Sequence, residues 1–93
     1  MRTDYEMIHE LCFWKNFKPA RRHVISMNEI YEVNSSLELD GRDELSLRNL
    51  RNTVVMYFQI IKTDDDNMFD YMDLLSAITS VIDSKLANIG AEV

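Results

Sequence analysis

The fold is decided most clearly by residues 67–89, which read NMFDYMDLLSAITSVIDSKLANI. Apolar side chains recur in this segment every three or four residues, a spacing that places them on one face of an α-helix. Polar residues fall between them, and Gly90 follows as a natural helix stop. We therefore predict a helix over 67–89 with an apolar stripe formed by Met68, Tyr71, Met72, Leu75, Ile78, Ile82, Leu86 and Ile89.

A second strongly periodic segment precedes this helix at residues 43–62. Asp43 is a suitable N-cap, because its carboxylate can accept a hydrogen bond from a backbone amide of the first turn. Met56, Tyr57 and Ile60 widen the apolar arc to about 200°, more than one neighbouring helix covers. We expect these three residues to pack on several helices or to mediate self-association with a second subunit. The main stripe comprises Leu47, Leu50, Val54, Phe58 and Ile61.

Two further helices are predicted nearer the N-terminus, over residues 4–17 and 19–36. Thr3 and Glu6 have the spacing of a capping box, which starts the first of them. Pro19 fits the first turn of the second, where its missing N–H leaves no helical hydrogen bond unmade. The residue before a proline is disfavoured in the α region, so the two helices are separated there.

These four segments predict an all-α protein, a small antiparallel bundle of three to four helices in a single domain spanning 1–93. Short loops between consecutive helices favour antiparallel neighbours. Only two glycines and one proline are present, which argues against a β fold rich in turns. Residues 24–39 leave an alternative open, because apolar and polar positions alternate in part of this range as they do in a strand.

The charge of the chain is unevenly distributed. Residues 1–23 carry five basic and three acidic side chains, whereas residues 24–93 carry five basic and thirteen acidic ones. Because acidic surfaces repel phosphates, the larger region disfavours general nucleic-acid binding. The same acidity suits an inhibitor or immunity-type protein that covers a basic site on its target. The basic N-terminal region suits an acidic partner.

Candidate catalytic and metal-binding residues are few. His9 and Cys12 share a helix face, but a zinc site needs at least a third ligand, and His23 is the only other histidine. The acidic turn at residues 64–66 lacks the ligand spacing and the glycine of an EF-hand calcium loop. No glycine-rich phosphate loop or nucleophile motif occurs. We therefore expect no enzymatic activity, no metal site, no cofactor and no small-molecule ligand.

The segment that most suggests binding is 13–22, FWKNFKPARR, which interleaves aromatic and basic side chains. Aromatic rings fill pockets on protein partners or stack on bases, and cations hold carboxylates or phosphates. The plainer alternative is that the rings belong to the core and the cations form a solvated rim. We predict a partner-binding surface formed by Phe13, Trp14, Phe17, Lys18, Arg21 and Arg22.

These features predict a non-enzymatic protein–protein interaction module, a small regulator, adaptor or inhibitor that acts through an exposed apolar and aromatic surface. A second copy is the simplest cover for the excess apolar arc, so we expect a homodimer. A nucleic-acid-binding regulator that uses the basic segment is one alternative, and the acidic inhibitor is another. The single cysteine, with no signal-peptide pattern and no long apolar stretch, favours a cytoplasmic protein that does not enter a membrane.

Overall fold

The computed structural model describes residues 2–19, 25–62 and 68–91, and every regular element in those ranges is helical. The prediction of an all-α bundle is therefore confirmed. Residues 27–36 are helical, so the strand alternative does not hold there. The elements are α1 (Asp4–His9), which continues directly into a π-helical turn (Glu10–Trp14), followed by α2 (Met27–Ser36), α3 (Glu44–Lys62) and α4 (Met68–Asn88).

The central pair of the bundle is α3 and α4, which run antiparallel. Arg51 in the first half of α3 is paired with Asp83 near the end of α4. Phe58, further along α3, contacts the ring of Tyr71 near the start of α4, with centroids 6.3 Å apart. Helix α1 packs on α3, and α2 packs on α4.

One cluster of apolar side chains forms the core, and it follows the predicted stripes of α3 and α4 only in part. Leu74, Ala77 and Val81 of α4 are buried although they lie outside the predicted stripe, and the stripe residues Ile61, Tyr71 and Leu75 are only partly buried. Met72 and Ile89 of the predicted α4 stripe are exceptions, since they are 47% and 51% exposed. The buried apolar residues are Met7, Ile8, Leu11, Phe17, Val33, Leu37, Leu39, Leu47, Leu50, Val54, Tyr57, Phe58, Leu74, Ala77, Ile78, Val81, Ile82 and Leu86.

Thr3 and Asp43 cap the starts of α1 and α3 as predicted, although the Glu6 carboxylate accepts from the Thr3 hydroxyl and so does not complete the capping box. The hydroxyl of Thr3 accepts a hydrogen bond from the backbone N–H of Glu6 at 3.1 Å. The carboxylate of Asp43 accepts one from the backbone N–H of Ser46 at 2.8 Å. Each bond satisfies an amide that has no partner within the helix itself.

The start of the second helix differs from the prediction. We expected a helix over 19–36 with Pro19 in its first turn, but Pro19 lies outside the helices and α2 begins at Met27. Ser26 and Glu29 form a complete capping box there, in which each side chain accepts a hydrogen bond from the other residue's backbone N–H. Two amides are satisfied at once, so the helix starts after Ser26. Residues 20–24 lie outside the described range.

The first helix also ends earlier than the predicted residue 17. An α-helix continued past Leu11 would direct Lys15, four residues later, toward the core. Instead the helix widens into the π turn, and Asn16 has a φ of 53°, in the left-handed region that ends a helix. The backbone N–H of Phe17 then donates to the carbonyl of Leu11 at 3.1 Å. Phe17 thereby returns to the core while Lys15 stays exposed.

A candidate interaction surface of aromatic side chains

A row of aromatic side chains runs along one side of α1 and the π turn. His9 and Phe13 are stacked, with ring centroids 5.2 Å apart and planes 9° from parallel. Phe13 meets Trp14 edge to face at 5.8 Å. Tyr5 lies one turn before His9 and is 37% exposed. We call Tyr5, His9, Phe13 and Trp14 the aromatic ridge.

Tyr57 of α3 anchors the aromatic ridge to the core. Its ring lies 5.1 Å from that of Tyr5 and 6.0 Å from that of His9. The Nδ1 atom of His9 and the hydroxyl of Tyr57 are hydrogen-bonded at 3.1 Å. Burial raises the pKa of Tyr57, so its hydroxyl keeps its proton at neutral pH. The ridge is thus held from beneath by a buried, hydrogen-bonded ring.

The two outer rings, Phe13 and Trp14, belong to the π turn. The backbone N–H of Lys15 donates to the carbonyl of Glu10, five residues earlier, so the chain rotates less per residue than in an α-helix. Phe13, four residues after His9, lies on the same side of the segment, and the two rings stack. Phe13 and Trp14 are left 67% and 74% exposed. Single π turns of this kind are frequent at functional sites.

The part of α3 beside the ridge has no charged side chain over residues 52–61, NTVVMYFQII. Met56 and Ile60 are 46% and 49% exposed in this stretch. At about 100° per residue, Ile60 lies about 60° and Met56 about 100° from Tyr57 around α3, and both are turned away from Arg51, which faces α4. We call the aromatic ridge together with Met56 and Ile60 the uncharged face. Interface cores are likewise depleted in charge and enriched in aromatic residues and Met.

The structure separates the predicted partner-binding residues into two groups. Phe13, Trp14 and Lys18 are exposed, and the first two end the aromatic ridge. Phe17 is only 6% exposed and packs in the core. It is therefore not part of a binding surface in this structure, because the chain turns back at Asn16 and carries its ring inward.

The predicted self-association residues divide in the same way. Met56 and Ile60 are exposed on α3, whereas Tyr57 is 1% exposed. The prediction that Tyr57 is a self-association residue is wrong, because Tyr5 and His9 of α1 cover its ring. Tyr57 supports the exposed rings from the core, and its own side chain has almost no exposed surface that a second subunit could contact.

Two residues of the ridge, Tyr5 and His9, were not among the predicted binding residues. The signal that indicates them is the spacing of Tyr5, His9 and Phe13, which follow one another at intervals of four residues. Residues four apart lie on the same side of a helix. Tyr57 packs on this row from α3, and no residue near the row in the sequence indicates that contact.

Most cations in the described part are engaged by other side chains and do not form an open basic patch. Lys15 donates a hydrogen bond from Nζ to the Ser36 hydroxyl at 2.8 Å. Lys18 is exposed, and the predicted binding residues Arg21 and Arg22 lie outside the described ranges. Carboxylates pair with Arg2, Arg42, Arg48, Arg51 and Lys85.

The Cys12 thiol is not activated as a nucleophile. Burial raises the pKa of Cys12 from 9.0 to about 12, so the thiol is protonated at neutral pH and lacks thiolate reactivity. His9 directs its Nδ1 toward Tyr57 and stacks on Phe13. Among the described residues, no group of three or more His, Cys, Asp or Glu side chains is placed to hold a metal ion.

Two depressions on the described surface differ from ordinary ligand pockets. A groove of about 260 Å³ lies between α2 and α4, smaller than the ~300–1,000 Å³ of most such pockets. A depression of about 640 Å³ beside the connection from α2 to α3 is lined by Asn, Ser, Asp, Glu, Arg and Gly. Ligand pockets are mostly apolar. Both depressions are therefore weaker candidate sites than the uncharged face.

Comparison with known protein families, curated proteins and solved structures finds no match to this chain. In the described part of the chain, no helix has the length and apolar character needed to cross a bilayer. We therefore infer the function from the chemistry and geometry of the uncharged face.

Proposed function

We propose that this protein is a non-enzymatic protein–protein interaction module, a small regulator, adaptor or inhibitor, whose contact surface is the uncharged face. The observation that carries the proposal is the unbroken series of ring contacts from buried Tyr57 through His9 to Phe13 and Trp14. Rings fixed from the core have little conformational entropy left to lose when a partner covers them. Exposed aromatic side chains held in this way are typical interface hot spots.

The surrounding chemistry supports a protein partner over a nucleic acid or a substrate. Nucleic-acid binding depends on cations that contact phosphates, and the uncharged face has none. The Cys12 thiol is protonated, and the His9 ring is engaged by Tyr57 and Phe13, so neither supports a nucleophilic mechanism. A single cysteine is compatible with a reducing compartment, so we propose the cytoplasm as the location.

A capture experiment with a matched control tests the proposal. Trp14 on the ridge and Tyr31 on α2 are both 74% exposed, so changing either to Ala removes an exposed ring and leaves the core intact. We expect proteins retained from a host extract by the immobilised wild type to be retained by Tyr31→Ala and lost with Trp14→Ala. Equal retention by both variants would contradict the proposed surface.

The salt dependence of the captured interaction separates the alternatives. Binding through six to ten phosphate contacts weakens about 10³- to 10⁵-fold between ~50 and ~200 mM salt, whereas contact through aromatic side chains changes far less. Collapse of binding over this range, together with loss on changing Arg21 and Arg22 to Glu, would favour the nucleic-acid-binding regulator. Loss on neutralising acidic residues, with Trp14→Ala still active, would favour the acidic inhibitor.

A further inference from the structure

We infer that the occupant of the uncharged face is a second copy of this chain, an inference that rests on the proposed function. The chain has a net charge of −6, so two copies repel each other wherever their acidic surfaces meet. The uncharged face carries no carboxylate of its own, so contact there avoids the close pairing of acidic side chains that other surfaces would bring together. A strongly basic partner would be drawn instead to the acidic surface, where charge complementarity guides association.

The two halves of the uncharged face complement each other under two-fold symmetry. In a two-fold dimer one surface serves both copies, and every contact between different residues is made twice. Phe13 and Trp14 project from the ridge, while Met56 and Ile60 form an aliphatic row one turn long on α3. A two-fold axis between the halves places the rings of each copy on the aliphatic row of its partner. Methionine sulfur makes favourable contacts with aromatic rings.

One pair of polar groups beneath the face is already hydrogen-bonded. The His9 Nδ1 and the Tyr57 hydroxyl are hydrogen-bonded at 3.1 Å. Covering the face with an apolar partner surface therefore leaves this pair intact. Because polar groups left without partners reduce affinity, burial of this pair on association costs no hydrogen bond.

Charge insertion on matched residues tests the inference by sedimentation of the full chain over a concentration series. Met56→Glu and Ile60→Glu each place a carboxylate on the uncharged face. Met27→Glu on α2 and Ile89→Glu after α4 are their controls, since Met27 and Ile89 are 78% and 51% exposed on other surfaces. Circular dichroism checks that all four variants keep the helical content of the wild type.

We expect the wild type and the two controls to dimerise, and each face variant to raise the dimer dissociation constant at least about 30-fold, as the loss of a hot spot does. A wild type that stays monomeric at high micromolar concentration overturns the second copy as occupant. In that case a protein capture that depends on Trp14 still supports the proposed function. A dimer that survives Met56→Glu and Ile60→Glu overturns the inference as well, because its interface then lies elsewhere.

Discussion

The α3–α4 pair and the N-terminal segment of residues 3–19 use their apolar side chains in different ways. In α3 and α4 the apolar stripes keep the α-helical period, and their central residues are fully buried. In the N-terminal segment the period is broken by the π turn, and the exposed rings of Phe13 and Trp14 belong to that turn. The comparison indicates that the regular pair supplies most of the core, whereas the irregular segment both contributes Met7, Ile8, Leu11 and Phe17 to it and presents exposed rings.

The physical reason for the break is a conflict within the sequence. In a continuous α-helix Trp14, three residues after Leu11, and Lys15, four residues after it, would both be directed toward the core. Burial of a lysine without a partner is costly. The π turn and the left-handed Asn16 avoid that burial, and Phe17 supplies the apolar side chain that the core receives instead.

The largest expected effect lies in the regular pair. Leu50 of α3 is fully buried, so Leu50→Ala should lower the free energy of unfolding by about 2–5 kcal/mol. Leu45→Ala in the same helix removes a side chain that is 68% exposed and should change it by less than ~0.5 kcal/mol. Urea denaturation measures both. Similar losses for the two variants would contradict the position of the core.

The next effect concerns alkaline pH and the irregular segment. Because the pKa of Cys12 is raised from 9.0 to about 12 by burial, the unfolded chain loses this proton first. Stability is then fully retained below pH 9 and falls between pH 9 and pH 12, by at most about 1.4 kcal/mol per pH unit for this one group. Cys12→Ala should make the decline shallower, and an unchanged slope in this variant would show that the thiol is not buried.

A smaller effect tests how the two regions are joined. Tyr57→Phe removes the hydroxyl that bonds to His9 and keeps the buried ring, so we expect a loss of about 0.5–1.5 kcal/mol in the free energy of unfolding. Tyr31→Phe is the control, since Tyr31 is 74% exposed on α2. Equal stabilities of wild type and Tyr57→Phe would mean that the His9 bond does not hold the ridge.

The smallest effect is expected on the ridge itself. Trp14→Ala should change the free energy of unfolding by no more than about 0.5 kcal/mol, because the side chain is mostly in solvent. A tryptophan in the core would instead cost about 3–5 kcal/mol on the same substitution. Thermal or urea unfolding under conditions that keep the protein monomeric separates the two results and thus sharpens the contrast with Leu50→Ala.

The regular part of the fold could be predicted from the sequence because its determinants are local. The stripes of α3 and α4 repeat over four or more turns, and Thr3 and Asp43 stand at the positions where their helices need a cap. The Ser26 capping box is equally local, with Glu29 three residues later, but Pro19 also fits the first turn of a helix and indicated an earlier start.

The candidate site could be predicted only in part, because its form depends on contacts between distant residues. Phe13, Trp14, Met56 and Ile60 stand out by residue type and helical position. The burial of Tyr57 depends on the packing of α1 against α3, which no neighbouring residue encodes. The π turn results from competition between core burial and solvation of Lys15, and a pattern based on a fixed helical period does not represent that competition.

The fluorescence of Trp14, the single tryptophan of the chain, tests the central claim most directly. We predict long-wavelength emission that is readily quenched by acrylamide in dilute solution, and a shift to shorter wavelength with protection from the quencher as the protein concentration rises. Met56→Glu should keep the dilute-solution signal at every concentration. Short-wavelength, protected emission from the dilute monomer would place Trp14 in the core and contradict the account.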